Sequence, residues 1–424
     1  MRVAAAVLLG RAARWAARLR GGGSAIPGRV LLAIVPGFLE RAVERMPLGV
    51  VFVSGSNGKS TTTNMLVAIM RAHGVDVFSN PAGGNLPQGI ASAMLADVPL
   101  NGRLREQIAV LEVDEAYGVK LATLLRPRSV LLLNVQVDQL NRFFEPDRVV
   151  GMLESIATVA TQHLVVNTDD DNLRPLGSRV AASTGVALHG FGVSEAVRLG
   201  APNGLANARV FGAASAAAGI EPSIVVEELA GSTALLAVGD KRVSVRLPAR
   251  GVHYAVDVAG AATMARALLG DRFDPSLVAT AMQSLATVYG RGETMVVDGE
   301  EIEIIMMKNP PSLQMNLDAL VEPPEQLFMA VDEGTPDPSW LYDIDLSSIA
   351  RVDVLSGTKA WQLATRLGYD GIPVDHVLPD LRAALKAFVA LPKPATGRKT
   401  MIVNYEQMML IRKSFGLLEI EGEQ

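Results

Sequence analysis

A chain of 424 residues, 49% of them hydrophobic, is long enough to bury two or three cores of ordinary domain size. The formal charge of −5 gives no overall bias toward nucleic acid, and the five histidines are scattered, with no metal-ligand cluster. There is no cysteine, which excludes disulfides, thiolate zinc sites, iron–sulfur clusters and a cysteine nucleophile within this chain.

The first segment is the one strongly basic region. Through Met46 it carries Arg2, Arg11, Arg14, Arg18, Arg20, Arg29, Arg41 and Arg45 against Glu40 and Glu44. Val3 to Leu9 is too short an apolar run to span a bilayer, and no clear small-residue cleavage site of a signal peptide follows it. Two readings remain: an amphipathic helix packed on the protein, or one that touches anionic lipid. Gly21 to Gly23 are expected to end that helix.

Next comes Val50 to Thr63, VVFVSGSNGKSTTT. Val50 to Val53 reads as a buried strand and Thr62 to His73 as an amphipathic helix, with a glycine-bearing loop between them. Gly55 and Gly58 let the backbone approach a polyphosphate, and the helix N-terminal amides around Ser56, Asn57 and Thr61 point at it. Lys59 brings charge to the β/γ-phosphates, and Ser60 can ligate magnesium. The strict P-loop pattern has a glycine where Val53 stands. The strand–loop–helix context nevertheless predicts a nucleotide site.

Short apolar runs at Ile108 to Val113, Ser129 to Val135 and His163 to Asn167 then alternate with helices, as in a parallel α/β sheet. Their ends deliver Glu112, Asp114 and Glu115; Asn134, Asp138 and Gln139; and Asn167, Asp169 and Asp170. Ligands collect at the carboxyl ends of such strands, so three acidic clusters beside a P-loop suggest a magnesium–nucleotide site; singly, each also reads as a solvated turn. About Gly190 to Leu247 the text becomes alanine-rich, β-branched and glycine-rich, which predicts a β-rich insertion. A helix follows at Tyr254 to Leu269, then Tyr289 to Glu293, the strand Glu301 to Met306 and the loop Met307-Lys308-Asn309-Pro310. With a boundary near Thr294, the remainder reads as a smaller α/β domain. Its strands are expected at Gln326 to Val331, Arg351 to Leu355 and Lys399 to Val403, its helices at Lys359 to Leu367, Leu381 to Ala390 and Tyr405 to Phe415.

Taken in order, SGSNGKSTTT, LEVDE, VDQL, NTDDD and YGRGE resemble the ATP-binding central domain of the Mur ligases, which form amide bonds in bacterial cell-wall precursors. The arginine-rich start, NPAGGNLPQGI at Asn80 to Ile90, MMKNP, DPSWLYD at Asp337 to Asp343, LSGTKAWQLATRLGYDG and NYEQMMLIRK narrow the resemblance to the MurT type, the synthetase subunits of lipid II isoglutaminyl synthase. Only about 45 residues precede the P-loop strand, too few for the N-terminal nucleotide-sugar domain of conventional Mur ligases.

The resemblance implies an α/β fold in three parts: a basic helical segment (1–46), a P-loop Mur ligase domain with the β-rich insertion (47–293), and a smaller Rossmann-like α/β domain (294–424). It also implies ATP-dependent amidation of the D-glutamate α-carboxylate of lipid II through an acyl phosphate. ATP and Mg2+ would be the cofactors, and a GatD-like class I glutamine amidotransferase would supply ammonia. By the same resemblance Lys59 contacts the β/γ-phosphates, Ser60 and Glu112 hold magnesium, and Asp138 lies in its outer shell or orients the substrate. Asn85 is placed near the transferring phosphoryl group, Asn167 and Asp170 in the nucleotide site, and Arg291 and Lys308 close over the nucleotide. Asp337 or Asp343 would complete the partner's Cys–His pair in trans, Asp337 being favoured because it stands directly before the family's x-Ser-Trp.

This chain departs from the family in lacking the four-cysteine zinc ribbon, so no zinc is expected. Tyr254 and Asp257 stand where two asparagines are usual near adenine, and Asn141 replaces an aspartate. A cytoplasmic location, peripheral at the inner face of the membrane, would suit the substrate. The competing readings are a stand-alone ligase of the folylpolyglutamate synthase style and a non-catalytic scaffold for a glutaminase.

Overall fold

The computed structural model describes residues 2–19, 25–80, 84, 86–136, 146–201, 205, 219–283, 285, 291–335, 338–395 and 398–417, with side chains except at 17–19 and 291–293. Its first sheet contains β1 (Gly49–Ser54), β2 (Val77–Ser79), β3 (Ile108–Glu112), β4 (Ser129–Leu132), β5 (His163–Asn167), β6 (Ala187–Val193), β7 (Pro222–Ala230), β8 (Thr233–Val238) and β9 (Lys241–Arg246). The order is β2-β3-β1-β4-β5-β6-β7-β8-β9, parallel as far as β7 and antiparallel from there to β9. The β-rich stretch thus lengthens the same sheet from its edge. Strand β1 lies between β3 and β4, so the chain leaves it in opposite directions and a crevice opens at its carboxyl end.

Strand β1 is buried along its whole length because both faces of the sheet are covered. Val50 and Phe52 enter a core shared with Leu31, Phe38 and Leu95, whereas Val51 and Val53 enter one shared with Met65, Ile69 and Val258. The period of two in the strand therefore divides its residues between two layers of helices. The first layer includes α1 (Arg2–Leu19), α2 (Ala25–Ile34) and α3 (Phe38–Val43). The helix after β1, α4 (Lys59–Ala72), supplies the second, and α5 (Pro87–Asp97) returns to the first.

The N-terminal helices pack tightly. A Cβ on Gly28 would lie 1.9 Å from the Gln88 carbonyl oxygen, so only glycine allows α2 this approach to α5, and one on Gly10 of α1 would lie 2.8 Å from Leu95 Cδ1, so the leucine side chain would have to shift. The Gly28 amide also donates to Ser92 Oγ at 2.7 Å.

The second sheet contains β10 (Arg291–Val297), β11 (Glu300–Met306), β12 (Leu327–Ala330), β13 (Val352–Ser356), β14 (Val374–Val377) and β15 (Arg398–Val403), in the order β10-β11-β15-β12-β13-β14. Only the β10/β11 pair is antiparallel. Lys399 is fully buried in it, and its Nζ donates to the carbonyls of Val389 (3.0 Å) and Leu391 (2.8 Å) and pairs with Glu300 at 2.7 Å. All three ammonium donors have acceptors, which is what allows a lysine there. Lys399→Met keeps the volume but strands two carbonyls and the Glu300 carboxylate, so unfolding should become easier by about 2–4 kcal/mol. Chemical denaturation measures this; an unchanged midpoint and slope would refute the role.

Candidate active site

The loop between β1 and α4 has the geometry of a phosphate cradle. Gly55 and Gly58 adopt φ of 138° and 84°, which side-chain-bearing residues avoid. A Cβ at Gly58 would lie 2.4 Å from Asp257 Oδ1, so the carboxylate of the helix Val252–Leu269 lies against the loop. No side chain caps the N-terminus of α4, which leaves its first amides for an anion. Lys59, its first residue, donates to the carbonyls of Gly55 (2.5 Å) and Ser56 (3.3 Å) and pairs with Glu115 at 2.8 Å, both partners being nearly buried. Ser60 and Thr61 follow in the same turn.

The loop is held by amides. Asn57 N donates to Asn134 Oδ1 at 2.9 Å, Asn134 Nδ2 returns to Asn57 O at 3.1 Å, and Asn57 Nδ2 donates to Gln136 Oε1 at 2.7 Å. Ser56 Oγ accepts from Gln136 N at 3.0 Å and donates to Gln136 O at 3.2 Å. The same Asn57 amide clasps Asn309 of the second sheet's domain, with Nδ2-to-Oδ1 bonds of 3.3 and 3.1 Å in the two directions. Asn309 is buried and caps the helix Pro310–Asp318 through Ser312 N at 3.0 Å. Beside it, Lys308 Nζ reaches Ser56 O at 3.3 Å. The two domains therefore meet on the phosphate loop itself.

At the end of β3, Glu112 is 6% exposed and its carboxylate makes no hydrogen bond or ion pair with a described residue. Its backbone is fixed by Asn80, which accepts from Glu112 N at 2.9 Å and donates to Glu112 O and Gly84 O, each at 3.1 Å. The neighbouring acids have local structural duties. Asp114 caps the helix Glu115–Leu125 by accepting from Ala116 N and Tyr117 N. Asp169 accepts from Val193 N at 2.7 Å.

Asp170 is fully buried and accepts from Val135 N (2.7 Å), Asn172 N (2.8 Å) and Leu173 N (3.1 Å), so it braces the segment after β4 and does not line the cleft. Burial pushes its carboxyl up to about 6, against the lowering effect of those amides.

A cleft of about 790 Å3, including its open mouth, spans the two domains. Its walls are Asn57, Gly58 and Thr61 of the loop, Asn134, Gln136 and Asn167 at the strand ends, Tyr254 and Asp257 of the following helix, and Lys308 and Met315 opposite. Asp343 lies elsewhere, exposed at the end of the turn Ser339–Asp343. Asn85, Asp138 and Asp337 lie outside the described residues, as does the side chain of Arg291, whose backbone starts β10.

Three contributors stand out only in the structure. In the sequence Glu115 is one of an acidic cluster, Asn80 the start of a motif and Asn309 part of a loop. For Asn309 a signal existed, since Asn before Pro-Pro is a helix-start pattern.

Residues 53–265 match the family described as Mur ligase middle domain, and residues 306–408 match MurT ligase C-terminal. The chain is 25% identical over 405 residues to the MurT subunit of lipid II isoglutaminyl synthase (glutamine-hydrolyzing) from Streptococcus pneumoniae, covering 88% of each chain. It is 30% identical to the Staphylococcus aureus subunit of the same name over 171 residues, 40% of this chain and 38% of that one. In fold it is similar to MurF ligase from Thermotoga maritima in complex with ADP, with a TM-score of 0.66 and 18% identity, over 92% of this chain and 83% of that one.

Proposed function

The chain belongs to the Mur ligase family, and from that premise we propose that it is the synthetase subunit of a lipid II isoglutaminyl synthase, amidating the D-glutamate α-carboxylate of the stem peptide at the expense of ATP. The observation that carries this reading is the clasp of Asn57 with Asn309 and the reach of Lys308 to Ser56, which bring both domains onto one phosphate loop. The parts are a basic helical start (1–46), an ATP-binding domain (47–293) and a C-terminal α/β domain (294–424).

A carboxylate is a poor electrophile, so one of its oxygens attacks the γ-phosphorus of ATP and ADP leaves. The acyl phosphate that results is attacked at carbonyl carbon by the lone pair of ammonia, phosphate departs, and the nitrogen loses a proton to give the amide. In this scheme Lys59 neutralises phosphoryl charge, and the loop amides and Lys308 hold the nucleotide as the domains close. Asn85, Asp138 and Arg291 are assigned to the transferring group, its surroundings and the closing rim. Asn167 lines the nucleotide cleft, and Asp170 shapes it from behind.

Among the described residues no three His, Asp or Glu side chains gather as a metal cage. Magnesium bound with ATP needs few protein oxygens, and the nearly buried Glu112 carboxylate, which has no partner among the described residues, fits that need with the Ser60 hydroxyl. Bound there, the ion would offset phosphate charge.

A class I glutaminase needs a thiolate and this chain has no thiol, so with glutamine as the nitrogen source its hydrolysis falls to another polypeptide, which we assign as a GatD-like glutaminase. No described helix is long and apolar enough to cross a membrane. We place the enzyme in the cytoplasm on a separate ground, its use of ATP.

The test is amidation of purified lipid II by the chain with ATP and ammonium, then with a candidate glutaminase and glutamine. Absence of amide product under both conditions would reject the reading. In the same assay Glu112→Gln should raise the magnesium needed for half-maximal rate by roughly tenfold or more. If its magnesium titration overlays that of the parent, Glu112 is not the ligand.

A further inference from the structure

Helix α1 has two apolar faces, and the protein uses one. Ala6, Val7 and Gly10 are buried, with Gly10 directed at Leu95 of α5. Arg11 fastens the same side, its guanidinium donating to the carbonyls of Leu95 (3.1 Å) and Val98 (2.7 Å). The opposite side carries Ala5, Leu8, Leu9, Ala12, Trp15 and Ala16, all exposed. Their spacing of three and four residues makes them one continuous stripe, and no charged or hydrogen-bonding chain interrupts it apart from the Trp15 indole N–H. Leu8 and Leu9 are each 55% exposed and Trp15 is 68% exposed, an arrangement that water disfavours.

We propose that this outward face of α1 docks on the anionic surface of a lipid bilayer. Charge selects that occupant. Residues 1–39 contain Arg2, Arg11, Arg14, Arg18, Arg20 and Arg29 and not one acidic residue or lysine. An apolar stripe with a tryptophan, in a segment whose only charged residues are arginines, matches acyl chains below and lipid phosphates at the level of the headgroups, although Arg2 and Arg11 also donate to carbonyls of this protein. The helix lies in the interface and does not cross it, since no described helix is long and apolar enough for a span.

The placement also has a consequence for the cleft. Helix α1 rests on α5, which begins at Pro87 directly after the segment that Asn80 ties to Glu112. Docking through α1 would therefore carry α5 to the bilayer that presents a lipid-linked substrate. Bilayer docking is independent of the ligase chemistry proposed above, and it is read without turnover.

The full chain is mixed with vesicles of phosphatidylcholine alone, or of phosphatidylcholine with phosphatidylglycerol, and recovered by flotation at low and high salt. Binding to the anionic vesicles is expected, weakening with salt, with a blue shift of tryptophan emission that Trp15→Phe removes. The triple variant Leu8→Ser, Leu9→Ser, Trp15→Ser alters only exposed side chains, and thermal unfolding should confirm that it folds. Its partition onto anionic vesicles should fall by about tenfold or more.

Equal binding by parent and triple variant, or equal binding to neutral and anionic vesicles, would overturn the proposal. Two further results would do so by assigning the face to a protein: self-association of the parent without vesicle binding, or loss of the glutaminase partner on the triple substitution.

Discussion

Lys59→Ala is expected to lower ATP-dependent amidation by about 10^2- to 10^3-fold, the effect of removing one preorganised charge from a phosphoryl-transfer site. The structure adds a complication. Lys59 is paired with Glu115 in a nearly buried contact, so the alanine variant leaves a carboxylate that is only 5% exposed without its cation. Stability should fall by several kcal/mol for that reason alone, since breaking a buried pair from one side costs about 3–5 kcal/mol.

The double variant Lys59→Ala, Glu115→Gln separates the two effects. It should recover most of the lost melting temperature and none of the lost turnover. Turnover that recovers with stability would mean that Lys59 holds the loop and does not serve the phosphates.

What the sequence made legible was whatever is local. Strand β1 and α4 could be read from a buried run, two glycines and an amphipathic repeat, because those signals lie within the twenty-four consecutive residues from Val50 to His73. The expected Gln326 to Val331 and the observed Leu327–Ala330 differ only at strand ends, where pairing frays. What was not legible depends on distance along the chain. The amide clasp joins residues 252 positions apart, and nothing about either asparagine alone announces the other.

Acidic residues illustrate the same limit. Asp114, Asp170 and Glu112 look alike in the text, yet one caps a helix, one braces a buried turn and one has no carboxylate partner among the described residues. Backbone amides decide between them, and a sequence does not show where those amides point. The two faces of α1 were readable as amphipathic, but the residues through which it packs became evident only when Gly10 was found against Leu95.

The partner is the subject of the other large effect. Alone, the chain should release no ammonia from glutamine, while free ammonium at high pH should support slow amidation; adding the glutaminase should restore activity at low glutamine. An orienting carboxylate fixes the tautomer of a catalytic histidine and stabilises its charged form, so its removal costs about 10^2- to 10^4-fold. Asp337 and Asp343 are the candidates for that role. Asp343 is exposed on a turn that the buried Arg366 pins, donating to Leu341 O at 2.8 Å and Ile344 O at 3.0 Å. Beside it Tyr342 and Tyr369, with ring centroids 5.9 Å apart, are exposed by half or more, and exposed aromatic side chains are enriched at protein interfaces. Asp337→Asn and Asp343→Asn, made separately, should leave the ammonium-driven rate unchanged, and one of them should depress glutamine hydrolysis by the partner. If glutamine hydrolysis is the same in both variants and the parent, no carboxylate of this turn completes the partner's site, even where amidation itself is observed.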